Sequence, residues 1–325
     1  MFEWIKRKLN FTNDDSTKAV VTEKKSGEEI QKVPIADFFK DIEGDFTGAG
    51  HPATTRGWCR IRVGWPYYNG YTVIPDGMYP VIRVDGHVFH TFTKKMAKPF
   101  DENMRKAMHD ATRSLIEFFP ALYGYTQSDE ITIVLPKESL DYGRKVHKLA
   151  SLAAAVATAS FIRSYEDSTG KKLSKLPAFD GRAFGIPDDD LVNYYQLWRE
   201  RDATRNAISA VAQSLYSHKA LLNKNSDEKL KMIEDKGIRF WSKYTAPQIV
   251  GFYFKRKLLR RKFTAEEIER LPALHEARRN PDLVVIRSEI AEFHVNLHAP
   301  NDLLKKDELP EIIIPNETSN TGDEI

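Results

Sequence analysis

Apolar and polar positions follow two different rhythms along the middle of the chain. Tyr79-Pro80-Val81-Ile82-Arg83-Val84 is a short, mostly apolar run stopped by Asp85-Gly86, the pattern of a buried strand ending in a turn. Met104, Met108, Leu115 and Phe119 keep near-helical spacing behind Asp101, whose carboxylate suits an N-cap, and predict a helix from about Glu102 to Phe118. Residues 122–125 and 131–135 predict two short strands joined by Thr126-Gln127-Ser128-Asp129-Glu130. Residues 142–165 read as a helix whose small residues (Ala150, Ser151, Ala153, Ala154, Ala155) allow close packing, and residues 178–186 as a strand. Residues 188–218 predict an amphipathic helix broken near Glu200. Thr264 with Glu267 three positions later is a capping box opening a late helix, which Pro272 limits. Residues 285–297 suit a closing strand or hairpin. No internal repeat appears.

Outside this region the pattern dissolves. Residues 10–32 are polar and read as a flexible arm behind a short amphipathic turn carrying Phe2, Trp4, Ile5 and Leu9. Gly48-Ala49-Gly50 and the aromatics Trp58, Trp65, Tyr67, Tyr68 and Tyr71 suggest an irregular cover, and the last dozen residues suggest disorder. The expected division is therefore residues 1–76 as arm and cover, 77–244 as the ordered domain, and 245–325 as a basic, helical region with an acidic tail.

Composition narrows the class. Aromatics at 11% and hydrophobics at 41% support a sizeable core. The single cysteine, Cys59, excludes an intrachain disulfide framework and a Cys-rich zinc site. The apolar-leaning stretch 149–162 is too short to span a bilayer, and no apolar segment follows the charged start, so the expectation is a cytoplasmic chain without a membrane partner. Net charge is +3, but residues 301–325 carry −5, which leaves +8 on the remainder. Lys255, Arg256, Lys257, Arg260, Arg261 and Lys262 stand beside Phe252, Tyr253 and Phe254. Basic side chains among aromatics suit phosphates and unstacked bases; a solvated helix face is the competing reading.

The candidate chemistry lies in carboxylates. Asp85 closes a strand before a glycine, and Asp129, followed by Glu130, sits in a tight turn. Two such acids brought together hold a pair of divalent ions with oxygen ligands, and two ions clamp the attacking and leaving oxygens of a phosphoryl transfer. Gly86 allows close backbone approach to metal and phosphate. Singly, Asp-Gly and Ser-Asp-Glu are ordinary turn chemistry. Their joint layout, strand, Asp-Gly, helix, then a hairpin with Asp-Glu at its turn, is that of nucleotidyl-transferring palms and nucleotide cyclases. The expected fold is α+β: a palm-like antiparallel sheet flanked by helices, with N- and C-terminal extensions. Arg199, Asp202 and Asn206 share a helix face, as an internal Arg–Asp pair or as an RNA-facing row. Asp180-Gly181-Arg182 imitates the first Asp-Gly but is embedded in a strand and reads as structural. His87 and His90 lack further ligands for zinc.

These residues carry a resemblance. The run from Val81 to Thr93, followed by Lys98-Pro99-Phe100-Asp101, resembles the opening motif of the tRNA-His guanylyltransferase family; Gly124 to Thr132 resembles the second. Phe179-Asp180 with Arg182, Phe184 and Pro187, then Trp198-Arg199, Asp202 and Asn206, are similar to the third and fourth. Where eukaryotic members carry His-Ile-Asn-Asn, this chain has Thr204-Arg205-Asn206-Ala207, which resembles the bacterial and archaeal branch that repairs tRNA 5′ ends. The resemblance implies a polymerase working in the 3′-to-5′ direction, using ATP to activate a tRNA 5′ end and GTP or another nucleoside triphosphate to extend it. It implies two Mg2+ ions on Asp85, the Gly86 backbone and Asp129, with Glu130 supporting them as a third catalytic residue. Asp85, Gly86, His87, Val88, Phe89, His90, Ser128 and Asp129 would line the triphosphate, with Lys98 near the 5′-end phosphates. Arg199, Asn206, Lys255, Lys257, Arg260 and Arg261 are the expected RNA contacts, and a homotetramer the expected assembly. A palm-fold cyclase or dinucleotide synthase acting without RNA, and a noncatalytic RNA-binding module, are the alternatives.

Overall fold

The computed structural model describes residues 73–293, the strands Val20–Val21 (β1) and Val33–Pro34 (β2), which pair with each other, and Leu303 with Leu304. β1 falls within the segment expected to be a flexible arm. The amphipathic N-terminal turn, most of the aromatic cover and the acidic tail lie outside the described residues.

Six antiparallel strands form the central sheet: Tyr79–Gly86 (β3), Tyr123–Gln127 (β4), Glu130–Val134 (β5), Phe179–Ile186 (β6), Phe252–Lys262 (β7) and Val284–Phe293 (β8). Their spatial order is β6-β3-β5-β4-β7-β8. The helices are Phe89–Phe92 (α1), Glu102–Phe118 (α2), Val146–Thr169 (α3), Asp189–Leu215 (α4), His218–Leu221 (α5), Ser226–Asp235 (α6), Phe240–Lys243 (α7), Ala246–Val250 (α8) and Ala265–Arg270 (α9).

Strand alternation sorts the core into two layers. Ile82, Val84, Ile131 and Ile133 point to one face, where Met108, Leu115 and Ile116 of α2 and Leu149, Ala153 and Phe161 of α3 cover them. Tyr79, Val81, Val134 and Phe184 point to the other, against Val192, Tyr195 and Trp198 of α4. Farther along, α4 packs Ile208 and Val211 against Ile233, Phe240 and Ile249 of the short helices that follow. Caps set the boundaries as expected from sequence. Asp101 accepts from the Met104 amide at 2.9 Å to open α2, and Thr264 and Glu267 form both bonds of the capping box on α9.

Three expectations change. α4 is continuous through Glu200, because that carboxylate is fully buried and accepts a bond from the Tyr253 hydroxyl, so the polar residue faces the sheet instead of breaking the helix. The basic run 255–262 is a strand, not a helix face. β7 and β8 belong to the same sheet as β3–β6, so the sheet crosses the boundary expected at 244/245. One anchor was not anticipated. The buried guanidinium of Arg144 donates to the carbonyls of Ile74, Pro75, Met78, Lys137 and Ser139 at 2.6–2.9 Å and ties the entry of β3 to the loop after β5.

His109 on α2 is buried against the rings of Phe252 and Phe254, with centroids 4.4 and 5.0 Å away. Burial, then Arg105 and Arg113, push its pKa down to about 4. As pH falls below about 6.5 the unfolded chain takes up a proton that the folded chain refuses until about 4, so stability is lost across that window. Between pH 7 and 5, urea unfolding of the wild type is expected to lose about 2 kcal/mol more than that of His109→Phe, which keeps the ring but cannot titrate. Equal losses would contradict this.

Candidate active site

Antiparallel register brings the sequence-distant acids together. Asp85 on β3 stands opposite Glu130 on β5, so the residue before Glu130 meets the residue after Asp85. The Gly86 amide donates to the Asp129 carbonyl at 3.0 Å. A methyl group at Gly86 would lie 2.9 Å from Asp129 Oδ2 and 2.4 Å from the Phe89 ring, so only glycine lets the carboxylate and the ring close over the strand end. Ser128 turns the chain with a left-handed φ of 50° in a two-residue connection and donates its hydroxyl to Asp129 Oδ1 at 3.0 Å. Val88 also has a left-handed φ, 55°, unusual for a β-branched residue. Phe89, wedged among Phe92, Phe161 and Phe179, holds that loop in place.

Both aspartates are disfavoured as bare anions. Desolvation raises the pKa of Asp85; Arg83 opposes this, while Asp129 and Asp180 add to it. Desolvation likewise raises Asp129, against the hydrogen bond from Ser128. Asp180 stands beside Asp85 in register on β6, a third carboxylate that the sequence presented only as an imitation of the first Asp-Gly. Two hard oxygen donors with raised affinity for positive charge, next to an open glycine backbone, fit magnesium. Among the described residues there is no group of three or more His, Cys, Asp or Glu side chains arranged to hold a metal ion. A cation held here would take its remaining ligands from backbone, water and substrate oxygens, as magnesium commonly does.

Glu130, expected to support the metal site, is engaged by two arginines. Its buried carboxylate pairs with Arg83 Nη2 and with Arg199 Nε, both at 2.9 Å. Arg83 reaches on to Asp85 Oδ2 at 3.1 Å, and Arg199 to Asp202 Oδ2 at 2.6 Å. The charges run in one line, Asp85, Arg83, Glu130, Arg199, Asp202, through the interior between sheet and α4. Arg199 is thus corrected from an RNA contact to a core residue: only 3% of its side chain is exposed, and its guanidinium serves two carboxylates. Sequence spacing held part of the signal, since Arg83 and Asp85 share a strand face; the long-range partner did not show.

The remaining candidates separate. His87, Val88, His90 and Ser128 are exposed around the strand end, with Phe89 buried, and Lys98 is exposed and donates to the Thr93 carbonyl at 3.3 Å. A cleft opens beside Ser128, walled by Phe100, Met104, Met108, Gln127, Asn206 and Phe252. Asn206 is exposed at its edge, with its amide 3.4 Å from Gln127 Oε1. Among the basic residues of β7, Lys255 is corrected to a buried position, and Arg261 is held by a two-pronged pair with Glu267 at 2.6 and 2.7 Å. Lys262 pairs with Asp282 at 2.6 Å, and Arg256 donates to Ser288 and to the Ile116 carbonyl. Lys257 and Arg260 have no carboxylate within salt-bridge distance among the described residues.

A family model described as tRNAHis guanylyltransferase matches residues 67–187. A probable tRNA(His) guanylyltransferase of Drosophila melanogaster is 30% identical over 164 residues, which are 49% of this chain and 57% of that protein. The tRNA(His) guanylyltransferase of Schizosaccharomyces pombe is 35% identical over 133 residues, 40% of this chain and 51% of that one. The chain thus spans little more than half the length of these curated relatives. A solved bacterial tRNA(His) guanylyltransferase-like protein in complex with ATP is 34% identical, with a TM-score of 0.53 over 57% of this chain and 82% of that one.

Replacing Arg199 with methionine keeps most of its volume but leaves Glu130 and Asp202 short of a buried cation. The expected cost in urea unfolding is about 3–5 kcal/mol, with no change in the salt dependence of RNA binding measured below the unfolding transition. Unchanged stability with a flattened salt dependence would return Arg199 to an RNA surface.

Proposed function

The chain belongs to the tRNAHis guanylyltransferase family, and on that premise we propose that it is a nucleotidyltransferase extending tRNA at its 5′ end in the 3′-to-5′ direction. ATP activates the 5′-monophosphate by transfer of its adenylyl group, releasing pyrophosphate. The 3′-hydroxyl of an incoming GTP or other nucleoside triphosphate then attacks the activated phosphorus, and AMP leaves. The tRNA is a 5′-truncated one, as in the bacterial-type branch; addition to tRNA-His is the narrower option. The observation that carries this reading is that the Asp129 carboxylate lies over Gly86, next to Asp85 at the end of β3, close enough for the two charges to act on each other.

Asp85, the Gly86 backbone and Asp129 would hold two Mg2+ ions, which supply charge neutralisation at the attacking and leaving oxygens of an in-line displacement. The chain's own residues do the rest. Ser128 fixes one oxygen of Asp129, and Arg83 fixes one oxygen of Asp85 against Glu130. Exposed His87 and His90 offer donors for phosphate oxygens around the strand end, and exposed Lys98 would do so near the 5′-end phosphates. The apolar walls of the neighbouring cleft, Phe100, Met104, Met108 and Phe252, suit a planar base presented to those carboxylates.

For the RNA, Lys257 and Arg260 are the β7 cations that have neither an ion pair nor a side-chain hydrogen bond among the described residues, with Asn206 at the cleft edge. A homotetramer, as the family resemblance implies, would add surfaces from neighbouring copies.

Asp85→Ala and Asp129→Ala are expected to abolish transfer of labelled GTP to a tRNA lacking its first nucleotide, while both proteins unfold near the wild-type midpoint. Full transfer in either variant would remove the assigned role. A cyclic or dinucleotide product from ATP and GTP without RNA would favour the cyclase alternative instead.

Lys257→Gln/Arg260→Gln is expected to lower the slope of log K against log salt for tRNA binding by about 1–2. An unchanged slope would exclude this strand from the interface.

A further inference from the structure

β8 is the last strand of the sheet, and among the described residues no strand pairs with its outer edge. It is long, ten residues, and residues 286–289 in its middle are all exposed, with Ile286 52% accessible. β7 pairs with β4 only across Phe252–Phe254, so beyond Lys255 the β7–β8 ribbon runs free of the other strands. An exposed edge of this length can template another strand. Its own sequence says which strand fits. Laid antiparallel on itself about a two-fold axis at Ser288, Arg287 falls opposite Glu289 of a second copy, and Glu289 opposite Arg287. Ile286 meets Ile290, and Val285 meets Ala291. Shifting the register by one residue puts Ile286 against Glu289 or Arg287 against Ile290; shifting it by two sets Arg287 against itself or Glu289 against itself. Of these registers, only the first pairs opposite charges and apolar side chains on matching faces.

We infer that β8 is an interface with a second copy of this chain, joining two sheets edge to edge across a two-fold axis. Main-chain hydrogen bonds along the edge and the Ile286–Ile290 contacts bind the copies, and the Arg287–Glu289 pairs select the register. The interface lies outside residues 67–187 and does not depend on the functional reading.

The test uses the full chain in sedimentation velocity across micromolar concentrations. The wild type is expected to dimerise or to form a multiple of dimers. Arg287→Glu and Glu289→Arg each set two like-charge pairs across the axis and are expected to weaken that step on the order of tenfold or more. Mixing the two single variants faces two acids with two bases, and the mixture is expected to recover the association, as is the double variant Arg287→Glu/Glu289→Arg. These two recoveries separate loss of pairing from loss of folding. A monomeric wild type, an assembly indifferent to both reversals, or a mixture that fails to associate would overturn the inference. So would edge amides at 286–290 protected from exchange equally at all concentrations, which would mean that a segment of the same chain covers β8.

Discussion

The register between β3 and β5 is the constraint on which the rest depends. With Asp85 set opposite Glu130, the turn that carries Asp129 can close only over Gly86. A slip of one residue would send Asp85 and Arg83 to the other face of the sheet and separate both from α4. The buried line of charges guards against that slip. Glu130 is satisfied only when Arg83 and Arg199 converge on it from the sheet and the helix. Buried ion pairs contribute little net stability, but a misregistered one leaves an unpaired charge in the interior. The interior network thus acts on specificity of pairing, and the two aspartates inherit their placement from it.

The surface divides along the same logic. Cations on β7 that a phosphate would be expected to meet are mostly committed within the protein, Arg261 to Glu267 and Lys262 to Asp282. Neutralised pairs draw few counterions, so they add little to salt-dependent RNA binding. The ribbon is therefore first a scaffold, and β7 offers Lys257 and Arg260 as a basic surface. Its outer edge presents a different chemistry, balanced charge and apolar side chains, which suits another strand better than a polyanion.

Much of the fold was legible in the chain. α2 was written by Asp101 and its apolar spacing, α9 by Thr264 and Glu267, and β3 by an apolar run ending at Asp85-Gly86, because caps and strand ends are local signals. The two acids were legible as turn residues, and the family resemblance joined them. What stayed hidden was long-range. Arg144 meets a carbonyl seventy positions away, and Glu130 meets Arg199 on α4, contacts with no periodicity to announce them. Glu200 looked like a helix break because a buried acid is readable only once its partner, Tyr253, is known. The basic strand was equally ambiguous, since the partners of Arg261 and Lys262, Glu267 and Asp282, lie outside the strand.

The central claim is that Asp85 and Asp129 form one cation site. Manganese, a paramagnetic substitute for magnesium, can be counted by electron spin resonance in the presence of ATP on the wild type, Asp85→Asn and Asp129→Asn. The account predicts tight binding to the wild type and its loss, by the same large factor, in each asparagine variant. Undiminished binding in either would mean that the two carboxylates do not share their ions.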